Sequence, residues 1–193
     1  MPVGTHPIVT LTLRDGLPVR IRPVTRADRD LLAKGFQSLS EASRNQRFFT
    51  PIGQLSGSQL TYLTDIDHID HFAWGIETED GIGVGIARYV RTGPDIAEAA
   101  FTIADDFQGR GLGWTMFRAL ALVAVDHDLG RFEMTMLADN AAMTRLARKA
   151  GARFEAPSDG TIRAELDLDP AIWSDLSEAA ALRDLAAGAA GAG

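Results

Sequence analysis

The chain has 193 residues, 46% of them hydrophobic, and a formal net charge of −7 at pH 7. This size supports one well-filled core rather than two, and the acidic balance argues against a nucleic-acid-binding protein, which needs a basic face. The absence of cysteine excludes disulfides, thiolate metal sites and a covalent cysteine intermediate. No apolar run is long enough to span a membrane and no secretory leader opens the chain, so we expect a cytoplasmic protein that binds neither membrane nor nucleic acid.

The N-terminal third is predicted to form a hairpin followed by helices. Residues 8–13 and 19–22 alternate between apolar and polar side chains around Asp15 and Gly16, which is typical of two antiparallel strands. The patterns and capping residues that follow predict three helices, over residues 25–39, 40–49 and 58–64.

The centre of the chain alternates strands with helices. Strands are predicted over residues 72–77, 82–90, 96–104, 132–137, 152–155 and 161–168. Helices are predicted over residues 111–128 and from Asn140 to a stop at Gly151. This order predicts an α+β (α/β) fold with a central mixed, mostly antiparallel sheet flanked by helices.

The C-terminal segment is predicted to be helical and then disordered. The helical pattern runs from Pro170 through Leu185, and the alanine- and glycine-rich residues 187–193 are typical of disorder. We expect this helix to cover an exposed part of the core, with a dimer contact as the alternative. The sequence makes no prediction of the oligomeric state.

A glycine-rich stretch, Gln108-Gly109-Arg110-Gly111-Leu112-Gly113, lies between a predicted strand and a predicted helix. Glycines let main-chain N–H groups approach a phosphate, and a helix N-terminus adds unpaired donors and a favourable dipole. The stretch lacks the Gly-Lys-Ser/Thr ending of a P-loop, and its GxGxG spacing differs from a dinucleotide fingerprint. The sequence therefore indicates a phosphate site of another kind, with a tight strand-to-helix turn as the alternative.

This stretch resembles the Gln/Arg-x-x-Gly-x-Gly/Ala motif of the GCN5-related N-acetyltransferase (GNAT) superfamily, whose loop binds the pyrophosphate of acetyl-coenzyme A. Residues 140–152 resemble a later motif of that superfamily, in which an Asn opens a helix beside the pantetheine arm and a Gly closes it. Asp139 or Asn140 can cap such a helix, although an ordinary amphipathic helix would show the same pattern. Because the two stretches occur in the same order as the superfamily motifs, each supports the interpretation of the other.

Residues 40–49 and 63–72 are similar to the bacterial protein lysine acetyltransferases of Pat type, particularly the catalytic domain of the mycobacterial cyclic-AMP-regulated enzymes. Those enzymes also carry an N-terminal cyclic-nucleotide domain, for which there is no room before Pro18, so we do not expect cyclic-AMP control within this chain. The resemblance implies an N-terminal strand or hairpin extension over residues 1–17, an acetyltransferase domain over residues 18–168, and a C-terminal helix with a disordered tail over residues 169–193.

The resemblance places the catalytic glutamate at Glu98. Period-two alternation puts Glu98 on one strand face with Ala100 and Thr102, where small neighbours leave room for an acyl group and apolar ones would make the carboxylate a stronger base. A base is useful because a lysine acceptor is almost entirely protonated at neutral pH. A solvent-facing strand glutamate is the alternative.

The resemblance also implies the residues that contact acetyl-coenzyme A. We expect main-chain groups of the strand to contact the pantetheine arm if that strand splays from residues 132–137. The expected contacts are Phe101, Thr102, Ile103, Gln108, Gly109, Arg110, Gly111, Leu112, Gly113, Asn140 and Met143. Many relatives place a proton-donating Tyr seven positions after the Asn, but this chain has Ala147, so no general acid is assigned.

No metal is predicted. Residues 65–71 hold three aspartates and two histidines, close enough together to suggest a metal site, but the alternation of polar and apolar side chains favours a helix end or strand entry with solvated Asp and His, bordering the acceptor groove. His6 and His127 are interpreted as surface residues.

These observations predict an acyl-CoA-dependent N-acetyltransferase that moves the acetyl group directly to a lysine ε-amine of a protein, with Glu98 as the base. One alternative is acetylation of a small amine or a peptide N-terminus. Another, of a different class, is a regulatory module that binds acetyl-coenzyme A without turnover.

Overall fold

The computed structural model of the protein describes residues 8–191, so His6 lies outside the described part. Within these residues, eight strands form one sheet in the order β1-β2-β3-β4-β5-β6-β8-β7. The strands are β1 (Val9–Thr12), β2 (Pro18–Pro23), β3 (His71–Thr78), β4 (Gly83–Arg91), β5 (Ile96–Ile103), β6 (Arg131–Leu137), β7 (Arg153–Phe154) and β8 (Thr161–Asp167). The helices are α1 (Arg29–Ser38), α2 (Glu41–Phe48), α3 (Gly57–Thr64), α4 (Leu112–Asp126), α5 (Ala141–Ala150) and α6 (Ala179–Ala190).

Neighbouring strands are antiparallel except β5 and β6, which are parallel. Within the described residues, this parallel pair is in register only where Ile96–Glu98 lies beside Arg131–Glu133. Beyond Glu98 the two strands separate, and β5 continues to Ile103 paired with β4 on its other side. The predicted mixed, mostly antiparallel sheet is therefore confirmed. An opening lies at its centre, between the parts of β5 and β6 that are not paired with each other.

The core lies on the face of the sheet that packs against α4. Nine residues of α4 are buried, and the Trp74 indole on β3 donates a hydrogen bond to the Ala119 carbonyl of α4 (3.1 Å). On β5 the buried alanines, Ala97 and Ala99, face this side. Because side chains alternate along a strand, Glu98 belongs to the opposite face.

The C-terminal helix differs from its prediction at both ends. Residues 170–172 form a single 3₁₀ turn capped by Asp169, and α6 begins only at Ala179. It then continues through Ala190, so residues 187–190 are helical where disorder was expected, because alanine has the highest helix propensity. Leu182 and Leu185 are buried in the core, as expected for a helix that covers it.

Candidate active site

Two left-handed glycines shape the loop that enters α4. Gly109 has φ +76°, and Gly111 has φ +90° and is the N-cap of α4. The first N–H groups of a helix have no partner within it, so the start of α4 presents main-chain donors and the positive end of its dipole. The strand, glycine turn and helix follow one another as the sequence predicts.

Basic side chains surround the start of α4. Arg14, from the hairpin turn, lies so close to Gly111 that a Cβ there would be 3.0 Å from Arg14 Cδ. Arg110 forms an ion pair with Asp15, and the Lys149 ammonium lies 4.0 Å from the centre of the Trp114 ring. Donors and cations of this kind fit a diphosphate.

The pKa of Lys149 lies below its usual range because its ammonium is partly desolvated and because Arg14 and Arg118 are nearby positive charges. Arg14 and Lys149 were not predicted for this site, since they come from distant parts of the chain and no local motif marks them.

The Gln108 side chain is engaged within the protein. Its amide donates hydrogen bonds to the Ile103 carbonyl (3.2 Å) and to Ser43 Oγ (3.3 Å). The Asp105 carboxylate accepts hydrogen bonds from the main chain and hydroxyl of Ser40 at the start of α2 (2.8 and 2.7 Å). These bonds tie the glycine loop to the end of β5 and to α2.

The other predicted coenzyme residues flank the opening between β5 and β6. Phe101 stacks on Phe117 of α4 at 5.5 Å between ring centres. A Cβ at Gly113 would lie 3.3 Å from Ile103 of β5 and 3.9 Å from Leu146 of α5, so the three elements meet at this point.

The start of α5 has the predicted cap. The Asn140 side-chain oxygen accepts a hydrogen bond from the Met143 main-chain N–H (3.0 Å). Gly151 ends the helix with φ +91°, also as predicted.

Glu98 is the last residue of β5 in register with β6, where it lies beside Glu133. Its side chain is exposed, so the predicted apolar enclosure is wrong. The reason is that β6 and β8 continue this face of the sheet with polar and charged residues. A groove of about 60 Å³ is lined by Glu98, Glu133, Met134, Thr135, Glu155, Arg163, Ala164 and Glu165.

An apolar cavity of about 100 Å³ lies on the same face, between the sheet and helices α1 and α2. Leu32 and Phe36 of α1 contribute to its lining, and Ala100 and Thr102 of β5 lie along one side. Space is therefore present next to Ala100 and Thr102, the small neighbours of Glu98, but Glu98 itself does not line this cavity.

Two arginines border this cavity near Glu98: Arg47 of α2 and Arg88 of β4. Arg88 is only 4% exposed and donates hydrogen bonds to His71 Nε2 (2.9 Å) and to the Leu63 carbonyl (3.1 Å) at the end of α3. Burial lowers the pKa of Arg88 to about 9, helped by the positive charge of Arg47, so the guanidinium stays charged at neutral pH.

Burial also lowers the pKa of Arg47, and the negative charge of the nearby Glu98 carboxylate partly offsets this by raising it. The pKa of His71 falls to about 4, first through burial and then through the charge of Arg88, so His71 is neutral and can accept the Arg88 hydrogen bond. Neither arginine was predicted to belong to the site. A charged residue inside the apolar strand β4 was the available signal for Arg88.

Residues 65–71 form a turn held by its own hydrogen bonds. Asp67 Oδ1 accepts three main-chain N–H groups, those of Ile69, Asp70 and His71, each at 2.9 Å. Across residues 8–191 no group of three or more His, Asp or Glu side chains is arranged to hold a metal ion.

The interpretation of His127 as a surface residue is wrong. It is half-buried, and its Nδ1 lies 2.6 Å from the hydroxyl of the buried Tyr89. This pair lies on the α4 side of the sheet, away from Glu98.

Comparison with known proteins identifies the class. The sequence model of the acetyltransferase (GNAT) domain family matches residues 19–153, and the chain belongs to this family. Members of the family are acyl-CoA-dependent N-acetyltransferases with acetyl-coenzyme A as co-substrate, as the sequence motifs implied. No helix in residues 8–191 combines the length and the apolar character needed to cross a membrane.

Individual relatives confirm the resemblance to Pat enzymes. The chain is 32% identical over 166 residues to acetyltransferase Pat of Mycolicibacterium smegmatis, covering 84% of this chain and 49% of that protein, so it spans about half of its length. It is 36% identical over 144 residues to acetyltransferase PA5475 of Pseudomonas aeruginosa, covering 72% of this chain and 77% of the relative. The crystal structure of the GNAT domain of S. lividans PAT superposes with a TM-score of 0.80 at 30% identity, covering 86% of this chain and 99% of that one.

Proposed function

We propose that the protein transfers the acetyl group of acetyl-coenzyme A to a lysine ε-amine of a protein, with Glu98 as the general base. The observation that carries this proposal is the position of Glu98 at the point where β5 and β6 separate. There the carboxylate is accessible to an acceptor on one face of the sheet and adjacent to the opening in which a thioester can lie.

In this proposal the coenzyme diphosphate binds the main-chain N–H groups of residues 109–113, with Arg14, Arg110 and Lys149 supplying positive charge. The pantetheine arm lies in the opening, between Phe101, Thr102 and Ile103 on one side and Asn140 and Met143 on the other. Main-chain groups of β5 lose their β6 partners beyond Glu98 and are available to the pantetheine amides and to the thioester oxygen.

Glu98 removes a proton from the acceptor ammonium, directly or through a water molecule. The neutral amine then forms the new C–N bond at the thioester carbonyl carbon, the C–S bond breaks, and the electron pair leaves with sulfur as the thiolate. The nitrogen gives up its second proton to the departing thiolate or to water, which leaves a neutral amide. A lysine has a reference pKa of about 10.4, so only a small fraction is neutral at pH 7 without such a base. Ala147 is fully buried in the core, and we assign no general acid.

A cationic acceptor is favoured by the groove beside Glu98, where Glu133, Glu155 and Glu165 outnumber the one arginine of its lining, Arg163. Carboxylates concentrated on one side of a site attract a lysine-bearing surface. A small amine is the second candidate, because the cavity beside Ala100 and Thr102 can enclose a small apolar acceptor. A cytoplasmic location stays part of the prediction.

An acceptor panel tests this proposal. The protein is incubated with acetyl-coenzyme A and, separately, with lysine-containing peptides, peptides with free N-termini and small amines, and the released coenzyme thiol is measured. We expect the highest kcat/KM with lysine peptides. Release only with small amines would replace the proposed acceptor, and absence of release with every amine would favour a binding module without turnover.

A further inference from the structure

Neither of the two arginines next to Glu98 forms an ion pair within residues 8–191, although the Glu98 carboxylate lies near enough to Arg47 to favour its charge. Arg88 is buried, and its hydrogen-bond acceptors are the neutral His71 ring and a main-chain carbonyl. Within residues 8–191, Arg47 has neither an ion pair nor a hydrogen bond to another side chain, and its guanidinium lies over the Phe48 ring at 5.2 Å. The positive charge of Arg47 also disfavours the charge of Arg88.

Another arginine on this face provides a contrast. Arg22 also lines the cavity, but it forms ion pairs with Asp28 (2.6 Å) and Glu77 (3.2 Å). Burying a charge without an ion-pair partner costs free energy of folding, so the positive charge of Arg47 and Arg88 lowers the stability of the folded protein. A carboxylate supplied by a ligand would compensate it, because guanidinium groups match carboxylates in shape and charge.

Strand register places these arginines within reach of an acceptor at Glu98. Arg88 lies opposite Ala100, and Glu98 lies opposite Val90 on the same two strands, so Arg88 and Glu98 are diagonal neighbours on one face. The groove on the other side of Glu98 is rich in carboxylates. The acceptor site is therefore acidic towards β6 and β8 and basic towards β4 and α2.

We propose that Arg47 and Arg88 bind a carboxylate that the acceptor carries next to its reactive amine. This inference rests on the proposed lysine acetylation and specifies it: the preferred lysine has an aspartate or glutamate beside it in the acceptor segment. The lysine enters over the acidic groove, and the neighbouring carboxylate lies on the arginines.

The test compares two acetyl-capped peptides that are identical except for Glu or Gln next to a single lysine. For the unaltered protein we expect KM to be about tenfold lower for the Glu peptide, with similar kcat, because Glu can form an ion pair with a guanidinium whereas Gln offers only a neutral amide oxygen. Arg47→Gln should abolish the preference, and Arg47→Lys should retain part of it. Arg145→Gln, which changes an exposed arginine of α5, is the matched control and should leave the preference unchanged.

Equal KM values for the two peptides with the unaltered protein would overturn the inference while leaving lysine acetylation intact. A preference that persists in Arg47→Gln would equally overturn the assignment to these arginines. If neither peptide supports thiol release although small amines do, the proposed function fails, and this inference fails with it.

Discussion

His71 and Arg88 illustrate how one buried contact sets a protonation state. The pKa of His71 in the folded protein is about 4, against an ordinary value of 6.5, chiefly because of burial and then because of the Arg88 charge. The folded state therefore resists protonation of His71 more than the unfolded chain does. The stability associated with neutral His71 is complete above pH 6.5 and is lost as the pH falls towards 4.

We expect the free energy of unfolding to fall by about 1 kcal/mol more in the unaltered protein than in His71→Gln between pH 7 and pH 5. Urea unfolding at several pH values measures this difference. The comparison with the variant is needed because burial also lowers the pKa values of His68 and His127. Identical pH dependence in the two proteins would show that His71 is not held neutral.

Glu98 shows how much of a site can be predicted at the residue scale. Alternation along β5 correctly places it on one face with Ala100 and Thr102. Its exposure could not be predicted, because it depends on Glu133 and on other residues that reach this face through pairing between distant segments. Arg47 was missed for the same reason.

At the scale of elements, the start of α4 concentrates the features of an anion site. We expect Gly111→Ala to weaken coenzyme A binding by about tenfold or more, because alanine is strained at φ +90° and its Cβ would contact Arg14. Isothermal titration calorimetry measures the affinity. Gly53→Ala, at a glycine with open space around it, is the control. Equal affinities of both variants and the unaltered protein would place the diphosphate elsewhere.

The elements themselves were largely predictable, but their relationships were less so. Periodicity and caps predicted α4, α5 and the strand between them, β6, since these signals are local. The separation of β5 from β6 was assumed rather than predicted, because no local sequence pattern shows how many residues of two parallel strands pair. The start of α6 was misplaced because the helical pattern after Pro170 is interrupted by turns.

For the molecule as a whole, α6 completes the core although it lies beyond the region matched by the family model. Leu182 is fully buried, so Leu182→Ala should lower the free energy of unfolding by about 2–5 kcal/mol. Chemical denaturation measures this loss. Ile82→Ala, at a side chain that is 60% exposed, should change stability far less. A similar, small effect of both variants would mean that α6 is not part of the cooperative core.

The most direct test of the account is the turnover of Glu98→Gln at pH 7. We expect coenzyme A affinity to be unchanged and kcat/KM for a lysine peptide to fall about 100-fold or more, because the amide cannot accept the acceptor's proton. Glu79→Gln, which changes an exposed glutamate outside the site, should retain full activity. If Glu98→Gln retained full activity as well, acetyl transfer would not depend on this carboxylate, and the proposed mechanism would be wrong.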